Sequence, residues 1–216
     1  MDMLVESLGH LLDPNWIMRN GGLYLVLLIL FIETGIFLGF FLPGDPLLFV
    51  AGMVIASANE AHYPFETGWV NLGFWVFLFS VSTILGYFVG YWFGKKFGHV
   101  LATGKDSFFF KKKYLISAHA FYEKRGGFAV GIARFLPLVR TFAPIIGGMV
   151  AMDYTKFTYY NIVGAVIWVA SITTLGFVLG DNPWVRQNLE YVIIGLVAIV
   201  TFPVVSKLVF SRKGKE

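Results

Sequence analysis

Long apolar runs separated by short polar clusters organise this chain, with little strand-like alternation. Trp69–Gly94 holds no charged residue, Phe157–Leu179 holds none either, and Tyr191–Phe210 is interrupted by Pro203 and ended by Lys207. Each meets the requirement of about 20 residues for a hydrocarbon core of about 30 Å, so three transmembrane helices are predicted. Residues 1–14 differ. Leu4, Leu8 and Leu11 share a helical face with Val5 and Leu12 beside them, while Glu6, His10 and Asp13 lie elsewhere. That pattern predicts a short helix lying in the membrane interface.

Two further apolar stretches are broken. Gly22–Ser57 is interrupted by Pro43, Gly44, Asp45 and Pro46, and Gly127–Met152 by Pro137, Pro144, Gly147 and Gly148. Proline removes a helix donor and disfavours helix in the residue before it, so Pro43, Gly44, Pro137 and Pro144 are read as hairpin breaks. The arm from Phe128 to Leu136 would reach only about 13 Å at 1.5 Å per residue. Both stretches therefore read as re-entrant hairpins. Broken backbone at membrane depth is tolerated where protein buries it or where it lines a wet cavity, so two hairpins imply an internal cavity.

The two hairpin regions also resemble each other. Both carry Phe-Leu-Pro. Gly21-Gly22 and Ala51-Gly52-Met53-Val54 in the first match Gly126-Gly127 and Gly147-Gly148-Met149-Val150 in the second. Asn71, Thr83, Leu85, Gly86 and Gly90 recur ninety positions on as Asn161, Thr173, Leu175, Gly176 and Gly180. The fold class expected is an all-α membrane protein built as an inverted repeat, each repeat a re-entrant hairpin followed by a transmembrane helix. One polytopic domain over 1–216 would comprise an interfacial helix at 1–14, repeat one at 20–94, a basic loop at 95–125, repeat two at 126–180 and a last span at 190–210. Such repeats place a binding site near the midplane.

Composition agrees: 57% of the 216 residues are hydrophobic and 14% charged, where soluble domains carry about 25% charged residues. The absence of cysteine excludes disulfide frameworks and thiolate metal sites. Asp2, Glu6 and Asp13 near the start argue against a cleavable signal peptide. Eight Lys/Arg within 95–125 and four in the tail outnumber nearby acids, which orients that loop and the C-terminus to the cytoplasm. A nucleic-acid role for the basic loop is the weaker explanation, so no nucleic-acid partner is expected. The loop could also hold anionic headgroups.

Four charges fall inside apolar surroundings: Glu33 and Asp45 in the first hairpin, Arg134 and Arg140 around Pro137. Each costs at least about 2.5–3.5 kcal/mol at membrane depth, which makes a functional role the default. If the hairpin tips meet, two carboxylates face two guanidiniums. The plainer alternative is a pair of structural salt bridges. Arginine's planar fork suits a phosphate, and a desolvated carboxylate can carry a proton. Arg134 and Arg140 are thus candidate phosphate-binding residues, with Glu33 and Asp45 as proton-coupling or counter-ion residues. A proton-coupled cation antiporter using the two acids is the competing reading. No nucleophile–base pair, P-loop or metal cluster is evident, and His10, His62, His99 and His119 lack ligand spacing, so neither an enzyme nor a metal or other cofactor is expected. Gly86, Gly90, Gly94 and Gly98 form a ridge for close helix packing, within the chain or against a second copy in a homodimer.

The stretches "FIETGIFLGFFLPGDPLLFVAG" and "YEKRGGFAVGIARFLPLVRTFAPIIGGMVAM" resemble the two signature regions of the bacterial DedA membrane proteins, a family related to the VTT-domain lipid scramblases of eukaryotes. The resemblance covers roughly residues 20–180 and shows no departure at the four charged positions. Glu33 and Asp45 match the family's important acids, and Arg134 and Arg140 its paired arginines. It implies recycling of the lipid carrier undecaprenyl phosphate across the bacterial plasma membrane, with a link to the proton-motive force. Paralogues differ in lipid preference, so a less specific phospholipid scramblase is a further alternative.

Overall fold

The computed structural model describes residues 16, 22–36, 42–56, 65, 67–103, 130, 131, 134, 137–180, 182–195 and 198. Among these residues every regular element is helical: α1 (Gly22–Gly35), α2 (Gly44–Ala56), α3 (Gly68–Thr103), α4 (Pro137–Met149), α5 (Tyr154–Leu179) and α6 (Pro183–Gln187). The expected interfacial helix at 1–14, most of the basic loop and most of the last span lie outside the described residues.

Only α3 and α5 are long and apolar enough to cross a membrane, over Gly68–Phe97 and Tyr154–Leu179, among the described residues. At 1.5 Å per residue they reach about 45 and 39 Å. Only 39% of each apolar stretch is buried within the protein. The remainder turns Phe77, Leu85, Ile167, Val178 and similar side chains outward, a surface that hydrocarbon solvates and water does not. Lys95 and Lys96 lie on α3, which runs on to Thr103. The Lys96 ammonium sits 4.7 Å over the Trp92 ring, a cation–π contact. α1, α2 and α4 are 14, 13 and 13 residues long, about 20 Å each, which is short of a crossing.

The prolines of the Phe-Leu-Pro triplets stand at helix starts. Pro43 precedes Gly44, the first residue of α2, and Pro137 opens α4. A first-turn proline loses nothing there, since its missing N–H would have had no helical partner. Pro144 corrects the expectation of a break: it lies inside α4, which continues to Met149. An interior proline costs about 3 kcal/mol in a free helix. Here α4 is pressed along α3, and the Pro144 ring fills the space beside Gly90, where a Cβ would come within 3.0 Å of its Cγ. Gly147 and Gly148 also belong to α4. The helix ends just beyond them, where the Met152 N–H donates to the Gly147 carbonyl (3.0 Å) and the Ala151 N–H to that of Gly148 (3.1 Å). Ala151 occupies the left-handed position of this terminator at φ 50°, where glycine is preferred. Ala151→Gly is expected to stabilise the protein by about 0.5–1 kcal/mol, read as a small rise in thermal midpoint in detergent.

The described residues group into two compact units. One is drawn from Met1–Leu27, Pro43–Leu78 and Val169–Glu216, the other from Leu28–Leu42 and Phe79–Trp168. In the first, α2 seats on the end of α5. A Cβ on Gly52 would lie 2.1 Å from the Thr173 carbonyl oxygen, and one on Gly176 would lie 2.0 Å from that of Phe49. Phe49, Met53 and Val185 close the core beside this contact. In the second unit α4 seats on α3 by the same device. Cβ atoms on Gly94 and Gly148 would lie 2.0 Å from the Ile145 oxygen and 2.1 Å from the Tyr91 oxygen. The Tyr91 hydroxyl donates to the Met152 carbonyl at 2.6 Å. The helix that follows each Phe-Leu-Pro triplet thus rests on a long helix distant in sequence, α2 on α5 and α4 on α3. Gly86, Gly90 and Gly94 are all taken up by contacts within the chain.

Candidate functional site

Three of the four candidate charges lie in the second unit. Arg134 is the most enclosed, at 1% exposure. The chain reaches it by a close approach: a Cβ on Gly164 would meet the Gly131 Cα and the Arg134 Cδ, each at 3.2 Å. Two glycines therefore let the segment carrying Arg134 lie against α5. Its guanidinium then meets α3 and α5 together. Nη2 donates to the Asn161 side-chain oxygen and to the Thr83 carbonyl at 3.5 Å. Its carbon sits 3.7 Å above the Tyr87 ring. The Asn161 amide donates in turn to the Ile84 carbonyl at 3.3 Å, which fixes the oxygen facing Arg134. Among the described residues Arg134 has dipoles and a ring face around it, and no carboxylate bonded to it.

Arg140, in the first turn of α4, is different. Its Nη2 makes a buried ion pair with the Glu33 carboxylate, and its guanidinium carbon lies 4.7 Å over the Trp168 ring. Glu33 comes from the end of α1, which is set closely on α3. A Cβ on Gly35 would lie 3.1 Å from the Gly86 Cα, and one on Gly86 would lie 2.1 Å from the Thr34 hydroxyl. That hydroxyl donates to the Leu30 carbonyl at 2.7 Å, a bond that helps an apolar helix carry threonine. A glycine contact thus fixes the height of Glu33 along α3.

The structure therefore brings Glu33 to Arg140 and puts Arg134 in the same unit. Asp45 is buried in the first turn of α2, in the first unit, where a carboxylate suits the positive end of the helix dipole. Sequence reading marked Thr83 and Asn161 only as repeat positions and passed over Tyr87 and Trp168. An asparagine inside an apolar run is itself a signal, because its amide must find partners at membrane depth. Tyr87 carried no such signal among ten tyrosines.

The VTT domain matches residues 42–178 of the chain, which takes in Asp45, Arg134 and Arg140. Protein DedA of Escherichia coli (strain K12) is 40% identical over 190 residues, covering 88% of this chain and 83% of DedA. The chain belongs to the DedA/VTT family of membrane proteins. Two other relatives of this DedA/VTT chain cover nearly all of it. An uncharacterized membrane protein of Mycobacterium leprae is 36% identical over 211 residues, 94% of this chain and 89% of its own. The inner membrane protein YqjA of Escherichia coli (strain K12) is 31% identical over 215 residues, 97% and 92% of the two chains. No solved structure matches.

Proposed function

We propose that this DedA/VTT protein is a flippase for a polyprenyl-phosphate lipid carrier, with undecaprenyl phosphate as its substrate, in the bacterial plasma membrane. The observation that carries the reading is the charge balance among the described residues of the second unit, where two buried guanidiniums accompany one buried carboxylate that is already bonded to Arg140. Arg134 is the cation left for an incoming anion, and its surroundings are neutral groups that hold it without cancelling it. A phosphate headgroup satisfies that charge while its polyprenyl tail trails into lipid. Protonation of Glu33 would free Arg140 as a second arm of the clamp, and Asp45 serves as a further counter-ion. α1 with α2, and the segment of Arg134 with α4, act as re-entrant hairpins entering from opposite faces, the geometry of an inverted-repeat transporter.

Purified protein in nanodiscs, titrated with undecaprenyl phosphate, undecaprenol and a phosphodiester phospholipid, tests this directly. Tight binding of the phosphate alone is expected, with Arg134→Lys roughly tenfold weaker or worse because lysine keeps the charge and loses the fork. Equal binding of undecaprenol, or full activity of Arg134→Lys, would remove the phosphate clamp. Cation-driven collapse of a pH gradient in proteoliposomes would then favour the antiporter.

Orientation has its own test. Single cysteines at Ser107 and Asn182 of this cysteine-free chain should differ toward an impermeant thiol reagent in intact cells. Labelling is expected at 182 and not at 107, as the lysine and arginine asymmetry requires. The reverse pattern would invert the proposed topology.

A further inference from the structure

Tyr87 is a fully buried side chain on α3. Its ring face lies under the Arg134 guanidinium, yet its hydroxyl has no hydrogen-bond partner among the described residues, and neither has the Nε of Arg134. Buried hydroxyls are nearly always bonded, because an unmet one costs about 1–3 kcal/mol. The same hydroxyl lies within electrostatic reach of Arg134, Arg140 and Glu33, all three charges of the unit's candidate site. Among the described residues it is a donor without an acceptor, set beside a cation without a carboxylate. A phosphate oxygen would satisfy both groups at once.

We propose that Tyr87 is a further substrate-binding residue of this protein: its hydroxyl donates a hydrogen bond to the anionic headgroup that Arg134 attracts, while its ring holds Arg134 in place. The proposal rests on the lipid-phosphate reading and adds a ligand to it. The two roles of the side chain are separable. Tyr87→Phe keeps the ring platform and deletes the donor, whereas Tyr87→Leu deletes both.

Undecaprenyl phosphate binding and thermal midpoints, measured on the same nanodisc preparations, are the test, with undecaprenol as the uncharged control. For Tyr87→Phe the expected result is binding of undecaprenyl phosphate about tenfold weaker than wild type, the loss of one charge-assisted hydrogen bond. Its ligand-free thermal midpoint should be equal to or above that of wild type, because the hydroxyl deleted has no partner to lose. Tyr87→Leu should lose both binding and stability. Unchanged binding by Tyr87→Phe, with wild type still preferring the phosphate to undecaprenol, overturns the role of Tyr87 and leaves the function standing. A lowered ligand-free midpoint in Tyr87→Phe overturns it too, by showing that the hydroxyl holds the fold. Failure of wild type to prefer the phosphate overturns the function and this inference together.

Discussion

Replacing Gly176 with alanine is expected to remove most of the folded protein, although it adds one methyl group. That methyl would sit 2.0 Å from the Phe49 oxygen, 2.8 Å from its carbonyl carbon and 3.0 Å from its Cα. All three are backbone atoms, which cannot turn aside as a side chain can, so α2 and α5 must separate. Overpacking that a core absorbs costs about 1–3 kcal/mol, and a displaced helix pair costs more. A loss of about 3 kcal/mol or more is a large share of a typical stability of about 5–15 kcal/mol. Gly73→Ala is the matched control: nothing lies within 4 Å of its Cβ position, and alanine in place of an exposed helical glycine is expected to stabilise by about 0.5–1 kcal/mol. Yield of monodisperse protein and thermal midpoint in detergent should move in opposite directions for the two variants. Similar behaviour would mean that the α2–α5 contact is not tight.

Glu33→Gln carries the next largest effect. It leaves the Arg140 guanidinium buried against Trp168 without that carboxylate's charge, at a cost of about 3–5 kcal/mol. Arg140→Gln alone strands the Glu33 charge with a similar penalty. The double variant Glu33→Gln with Arg140→Gln should recover much of the stability, because two neutral amides can bond to each other. On the proposed function, transport of undecaprenyl phosphate in proteoliposomes should stay lost in the double variant, since the proposed clamp has given up one of its two arginines. Recovery of stability and transport together would make the pair a structural lock and leave Arg140 outside the headgroup site.

The sequence read unevenly. Trp69–Gly94 and Phe157–Leu179 were visible because an uncharged run of membrane length admits little but a helix, and both lie within the long helices α3 and α5. The four buried charges were visible because each is costly where it stands. Their pairing was not. Glu33 and Asp45 flank one Phe-Leu-Pro triplet, yet they belong to different compact units, because α1 is set by Gly35 against Gly86 while α2 is set by Gly52 and Gly176 on another helix. Helices apolar on every face give no periodicity from which to read such a register. The glycine ridge was legible as a packing surface without naming its partner, which proved to be α4 along with the end of α1. Pro144 misled because helix propensity is a local property, and α4 is held along α3 by contacts distant in sequence.

The exchanged seats of α2 and α4 also set a timetable for synthesis. α2 leaves the ribosome well before the helix it rests on: Gly176 follows Gly52 by roughly 120 residues, on the order of ten seconds at ordinary translation rates. For that interval α2 stands with the Gly52 face uncovered. A chain stopped in the basic loop could not complete either unit, since each needs a helix from both halves. The two halves expressed as separate polypeptides in one cell would each supply what the other lacks, so a gene split within the basic loop should still yield an assembled protein, whereas either fragment alone should be left to the membrane proteases.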